Sequence, residues 1–128
     1  MMADELSGKT ILLVDDDRDI LASMKAALAE LGPEIITAGD GDAALAQALS
    51  HSPDLVVLDM MLPKRGGFLV LERIKRGKKR TDPPRVIMVT GNQGQRHKVY
   101  AESLGVDLYL NKPFRMEKLL EAVQKLLG

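Results

Sequence analysis

The 128-residue sequence contains no cysteine, which excludes a disulfide scaffold, thiolate zinc ribbons, iron–sulfur clusters and thiol catalysis. A small core without covalent staples suits a reducing cytoplasm. Aromatic side chains are only 3% of the total and tryptophan is missing, so stacking platforms for single-stranded nucleic acid or sugars are not expected. Neither sign of charge dominates. Eighteen Lys and Arg balance eighteen Asp and Glu, so nothing global steers the chain toward nucleic acid or an anionic membrane. No apolar run approaches the ~18 residues that a bilayer-spanning helix needs. The start, Met1-Met2-Ala3-Asp4-Glu5, is acidic where a secretory signal is basic. A soluble, cytoplasmic domain without a membrane partner is the expectation. With 45% hydrophobic residues, the length is enough for one real core and not for two.

Short apolar runs rich in branched side chains alternate with helix-like stretches, the pattern of βα units around a parallel sheet. Strands are predicted at 10–14, 34–37, 55–58, 85–89 and 106–110. Ile11-Leu12-Leu13-Val14, Leu55-Val56-Val57-Leu58 and Val86-Ile87-Met88-Val89 are apolar throughout, as strands covered on both faces must be, and should be central. The last run alternates, with Val106, Leu108 and Leu110 against Asp107 and Tyr109, which predicts an edge strand with one row toward water or a mobile element.

Helical spacing is clear in Ile20, Leu21, Met24, Ala27, Leu28 and Leu31 before the stop Gly32-Pro33, and in the terminal stretch from Met116 to Leu127. Leu45, Ala48 and Leu49 mark a second helix, and Phe68, Leu71 and Ile74 a third. The helix at 93–104 has only Val99 and Leu104, with Tyr100 nearby, as anchors, so its packing should be the least secure. Phe68 and Phe114 are expected in the core, the methionines as gap-fillers, and His51 and His97 in solvent. The basic run Lys75-Arg76-Gly77-Lys78-Lys79-Arg80 reads as a solvated helix end rather than a nucleic-acid patch, since charge is balanced and aromatics are few. Residues 1–8 are expected to be a disordered lead and 9–128 a single domain, with about five βα units using up the chain.

In an open parallel sheet, ligands bind outside the carboxyl ends of the strands. Those ends are polar here: Asp15-Asp16-Asp17, Asp59, Thr90-Gly91-Asn92 and Asn111-Lys112-Pro113. If the first and third strands are neighbours, Asp15, Asp16 and Asp59 converge, and like charges that close call for a cation. Carboxylate oxygens with no His or Cys nearby suit Mg²⁺ rather than zinc. Taken singly, Asp16 or Asp17 could cap the first helix, Asp59 a turn, Thr90 a helix, and Lys112 could be solvated. Capping explains neither the doubled acid nor a hydroxyl and a lysine at the matching strand ends.

The set resembles a response-regulator receiver domain of the CheY-like kind, over residues 9–127. The motifs stand in order as Asp15-Asp16, Asp59 in Leu58-Asp59-Met60-Met61-Leu62-Pro63, Gly67, Thr90-Gly91, and Lys112-Pro113-Phe114. The resemblance implies a doubly wound (βα)5 flavodoxin-like three-layer sandwich with sheet order 2-1-3-4-5. It also implies a phosphorelay function, in which Asp59 accepts a phosphoryl group from a sensor histidine kinase or a histidine phosphotransfer protein. By the same resemblance Mg²⁺ (or Mn²⁺) is held by Asp16, Asp59 and the backbone carbonyl of Met61, with Asp15 acting partly through water. Lys112 and Thr90 contact the phosphoryl group, Tyr109 is the aromatic switch, and the Lys112–Pro113 bond is cis. The output is a remodelled face of fourth helix, fifth strand and fifth helix that binds a downstream protein, the chain being a monomer or a phosphorylation-dependent homodimer. It is a signalling switch rather than an enzyme on an external substrate, with no direct nucleic-acid contact expected.

Met61 and Asn92, two residues after Asp59 and Thr90, flank the path of water to an acyl phosphate in that family. A flexible apolar Met61 should hinder water, which predicts slow dephosphorylation. A haloacid-dehalogenase-type phosphatase would need an acid where Met61 stands. A flavin-binding domain would need a glycine- and hydroxyl-rich phosphate loop where three aspartates stand. The remaining alternative is a phosphorylation-independent, receiver-shaped interaction module.

Overall fold

The fully apolar runs form three central strands because each of their residues must be covered from above or below. The structure, a computed structural model, describes residues 5–91 and 95–128. The chain runs β1 (Thr10–Val14), α1 (Arg18–Ala29), β2 (Glu34–Ala38), α2 (Gly41–His51), β3 (Leu55–Asp59), α3 (Gly67–Lys75), β4 (Arg85–Thr90), α4 (Gln95–Ser103), β5 (Leu108–Asn111) and α5 (Met116–Leu127). The sheet is parallel throughout, in the order β2-β1-β3-β4-β5.

Strand alternation divides the core into two layers. Ile11, Leu13, Leu55, Val57, Ile87 and Val89 pack with Met24 and Leu28 of α1 and Leu119 and Val123 of α5. Leu12, Val14, Val56, Leu58, Val86 and Met88 pack with Ala44 of α2, Val70 and Leu71 of α3, and Ala101 of α4. Among the described residues no helix is long and apolar enough to cross a membrane.

Helix starts follow local capping chemistry. The Asp17 carboxylate accepts from the backbone N–H groups of Asp19 (2.9 Å) and Ile20 (3.2 Å), which makes it the N-cap of α1. Asp40 does the same for α2, accepting from Ala43 N–H at 2.8 Å. Because Asp17 takes the capping role, Asp15 and Asp16 are left for other work.

Several expectations are corrected. The fifth strand begins at Leu108 rather than at Val106, and the Asp107 side chain does not meet water. Its side chain is fully buried, pairing with Arg80 (3.0 Å) and Arg85 (2.9 Å) and accepting from Val86 N–H at 2.9 Å. Ion pairing plus a backbone hydrogen bond makes that burial tolerable. Residues 5–8 are not a loose lead: Leu6 is fully buried among the α1 and α5 side chains, and its N–H donates to the Leu31 carbonyl at 2.8 Å. Burying a leucine stabilises by about 1.5–3 kcal/mol, which together with the backbone bond to Leu31 opposes the entropy cost of ordering the segment. Leu49 is 77% exposed, because only Leu45 and Ala48 of that trio face the sheet. Phe68 and Phe114 are half-buried at the margins of the two layers. His97 is half-buried rather than solvated, its ring 5.9 Å from that of Phe68. Lys75 is buried and not part of a solvated helix end.

Candidate functional site

The register of β1 on β3 pairs Val14 with Leu58, so the residues that follow, Asp15 and Asp59, emerge side by side at the carboxyl edge of the sheet. The register of β4 on β5 pairs Thr90 with Asn111, and the Lys112 N–H donates to the Thr90 carbonyl at 2.7 Å. Four strand ends thus deliver Asp15, Asp16, Asp59, Thr90 and Lys112 to one place. Asp15, Asp59 and Thr90 are buried and Asp16 is exposed, so the cluster opens to solvent on the Asp16 side.

One carboxylate oxygen from each of Asp15, Asp16 and Asp59 lies within 4.8 Å of the others. The Lys112 ammonium donates to Asp15 Oδ2 at 2.8 Å and to Asp59 Oδ2 at 3.4 Å. The other oxygens take backbone donors: Asp15 Oδ1 accepts from Asp17 N–H at 2.9 Å, and Asp59 Oδ1 from Met61 N–H at 3.1 Å. Both buried carboxylates are held in fixed orientations by these contacts. Burial pushes the Asp59 carboxyl above its ordinary range, with repulsion from Asp15 adding to it, against the lowering effects of Met61 N–H and Lys112. For Lys112, burial pulls the ammonium down, but its bonds and attraction to Asp15 and Asp59 outweigh this and hold it above the usual lysine value.

Three carboxylates against one ammonium leave excess negative charge in a partly buried site. The donor set is all oxygen, with no His or Cys among its members, and fits a hard divalent cation such as Mg²⁺. The loop after β3 is shaped by glycine: a Cβ at Gly67 would stand 2.5 Å from the Asp59 carbonyl oxygen and 2.7 Å from Met60 Cα. Only glycine lets α3 start that close behind Asp59.

The chain matches the family described as "Response regulator receiver domain" over residues 11–124. It belongs to the response-regulator receiver family. Among curated relatives it is 36% identical over 120 residues to the alkaline phosphatase synthesis transcriptional regulatory protein PhoP of Bacillus subtilis, covering 94% of this chain and 49% of PhoP. It is 38% identical over 117 residues to the DNA-binding dual master transcriptional regulator RpaA of Synechocystis, covering 91% of this chain and 48% of RpaA. The chain therefore spans about half the length of these relatives. Among solved structures, a CheY-like response regulator receiver domain protein from Methanospirillum hungatei superposes with a TM-score of 0.83 at 34% identity, over 93% of each chain.

Other positions singled out for a receiver domain fall as follows. The Lys112–Pro113 peptide is cis. Met61 is 67% exposed at the mouth of the loop after β3. A Cβ at Gly91 would meet nothing within 4 Å, so the space beside Thr90 is open. Asn92 lies outside the described residues. Strand alternation assigns Tyr109 to a water-facing row, yet it is half-buried, and its hydroxyl donates to Met60 Sδ at 3.9 Å. Burial raises its phenol above the ordinary value. The contact ties the fifth strand to the residue next to Asp59, a link that sequence spacing could not disclose because the two lie 49 residues apart. Phe68 meets Tyr100 edge-on at 4.9 Å, joining α3 to α4 beside the same loop.

Proposed function

We propose that this receiver domain takes a phosphoryl group onto Asp59 from the phosphohistidine of a sensor histidine kinase or a histidine phosphotransfer protein. The observation that carries this reading is the Lys112 ammonium set between two buried carboxylates, one of which, Asp59, ends the central strand β3. Asp59 Oδ attacks phosphorus, the phosphorus–nitrogen bond to histidine breaks, and an acyl phosphate forms. Lys112 neutralises phosphoryl oxygen charge, and the Thr90 hydroxyl donates to another oxygen, both acting as preorganised electrostatic stabilisers. Asp15, Asp16 and Asp59, with the backbone carbonyl of Met61, are the residues to hold Mg²⁺ or Mn²⁺, which when bound offsets repulsion between carboxylate and phosphoryl oxygens.

The output is a switch rather than turnover of an external substrate. Phosphoryl contacts to Thr90 and Lys112 are the differential interactions that shift the equilibrium. Tyr109 transmits the shift to the surface of α4, β5 and α5, where a groove of about 570 Å³ lined by Tyr109, Asn111, Phe114 and Lys118 offers a place for a protein partner. That partner is a downstream protein or a second phosphorylated copy of the chain. Transcriptional control, named for PhoP and RpaA, is the pathway class this reading favours, with DNA contact made elsewhere than at this site.

The test is intact-mass spectrometry after incubation with acetyl phosphate, with and without Mg²⁺, on wild type and Asp59→Asn. A phosphoryl increment that needs both metal and Asp59 is expected. Wild type that gains no increment would overturn the reading in favour of a phosphorylation-independent interaction module.

A further inference from the structure

The basic run that starts at the last residue of α3 takes no part in the site around Asp59. Its first member, Lys75, is 4% exposed, and its ammonium donates to the backbone carbonyls of Arg80 (2.9 Å), Asp82 (2.7 Å) and Pro84 (3.1 Å). Arg80 is drawn to buried Asp107 at 3.0 Å, and the Lys79 N–H donates to the Asp82 carboxylate at 2.8 Å. Residues 76–84 are thereby held in one shape, and a loop ordered in advance loses little entropy on binding.

Held so, the loop forms one wall of a groove of about 300 Å³ between the C-terminal ends of α2 and α3. The groove is at the small end of ligand-sized clefts, suited to a side chain rather than a domain. Ala48, Pro53, Ile74 and Pro84 supply its apolar surface, and Leu49, the most exposed large apolar side chain among the described residues at 77%, lines it as well. Arg73, Arg76 and Lys78 stand at its rim. Arg76 is paired with Glu72, whereas Arg73 and Lys78 have no ion pair among the described residues.

We propose that this groove docks an acidic peptide segment of a partner protein, with one apolar side chain against Leu49 and Ile74 and flanking carboxylates against Arg73 and Lys78. Charge complementarity selects the sign of the partner, and the apolar lining selects a peptide over a nucleic acid. A phosphate backbone needs only the cations and leaves the lining unused, and the groove has no aromatic ring on which a base could stack. Pro53 and Pro84 precede β3 and β4, so the groove lies at the amino edge of the sheet. Asp59 is at the other end of β3, about 13 Å along the strand from Leu55 at roughly 3.3 Å per residue. A peptide bound there leaves the Asp59 site open, and the proposal does not depend on what Asp59 does.

The experiment uses the full chain and fluorescein-labelled decapeptides in which Asp and Glu flank one central Leu, Ile, Phe or Ser, with an oligonucleotide of equal charge as a competitor. Binding is read by anisotropy and by backbone amide shifts. The expected result is binding of at least one apolar-centred peptide, with shifts in 48–53 and 73–78. Affinity should fall at least about tenfold for the Ser-centred peptide, for the Arg73→Glu, Lys78→Glu double variant and for Leu49→Ser, while Asp59→Asn leaves it unchanged. All three substituted side chains in the groove are exposed, so the variants should fold, which circular dichroism checks. The proposal is overturned if none of the peptides binds, if the Ser-centred peptide binds as well as the others, or if the oligonucleotide displaces them with the same dependence on Arg73 and Lys78 and none on Leu49.

Discussion

Replacing Lys75 with methionine keeps most of the aliphatic stem and removes the ammonium that three carbonyls share. Each of those hydrogen bonds has a charged donor, a kind worth about 1.5–3 kcal/mol net when made singly. Two considerations reduce the sum. The carbonyls of Arg80 and Asp82 are only partly buried, so water can replace the lost donor there, while the bond to Pro84 is buried. The ammonium also loses hydration: burial pulls the Lys75 pKa below its ordinary 10.5, and attraction to Asp107 and Asp82 restores only part of that. The net loss should be about 2–4 kcal/mol, which for a chain of this length lowers Tm by roughly 7–15 °C. Urea unfolding followed by circular dichroism at pH 7 measures it, with Arg76→Met as the control. Arg76 is exposed and among the described residues pairs only with Glu72, so its loss should be within about 0.5 kcal/mol. In the window between the lowered Lys75 pKa and 10.5 the unfolded chain binds more protons than the native one, so this group's contribution makes wild-type stability rise with pH there. The gap to Lys75→Met should therefore widen as pH rises through that window. A loss below about 0.5 kcal/mol, or one no larger than that of Arg76→Met, would refute the carbonyl-cage account.

Asp59→Asn should stabilise the fold by on the order of 1 kcal/mol at pH 7, because it removes a buried charge facing Asp15. Since the native pKa of Asp59 is raised, stability is lost as pH climbs from the unfolded value through the native one, so the advantage of the Asp59→Asn variant should vanish below about pH 4 in urea titrations. Mg²⁺ at a hundred times its Kd should add about 2.7 kcal/mol to wild type, and Asp16→Asn should blunt that gain in thermal melts. Met61→Asn should shorten the acyl-phosphate lifetime by putting a polar group at the exposed mouth of the site, which decay of the phosphoryl mass increment reads out; an equal or longer lifetime would count against it. Gly67→Ala should destabilise by at least about 1–3 kcal/mol in urea melts, since its Cβ meets backbone atoms of Asp59 and Met60 that cannot move aside cheaply.

The three central strands were legible because burial on both faces forces an unbroken apolar run, and the last strand was recognisable as an edge by its alternation, whereas the edge place of β2 came from the sheet order alone. The gathering of the candidate site was legible for a related reason. A parallel sheet places every strand's carboxyl end on one edge, so polar residues ending apolar runs at Asp15, Asp59, Thr90 and Lys112 are gathered by topology alone. Which aspartate caps α1 was open in the sequence and settled by the turn geometry that gives Asp17 the N–H groups of Asp19 and Ile20.

What lay beyond the sequence depends on partners far away in the chain. Lys75 and Asp107 look solvated by residue type, and only their distant carbonyl, arginine and amide partners make burial possible. Leu6 looks like part of a tail until the backbone of Leu31 and the side chains of α1 and α5 offer it a place. Tyr109 sits on an edge strand by pattern, yet its hydroxyl finds Met60 across the carboxyl edge of the sheet. Local periodicity and strand-end chemistry determined the elements, their order of burial and the place of the site. Tertiary structure decided which charged groups are buried, because a charge leaves water only where the whole fold supplies its counterparts.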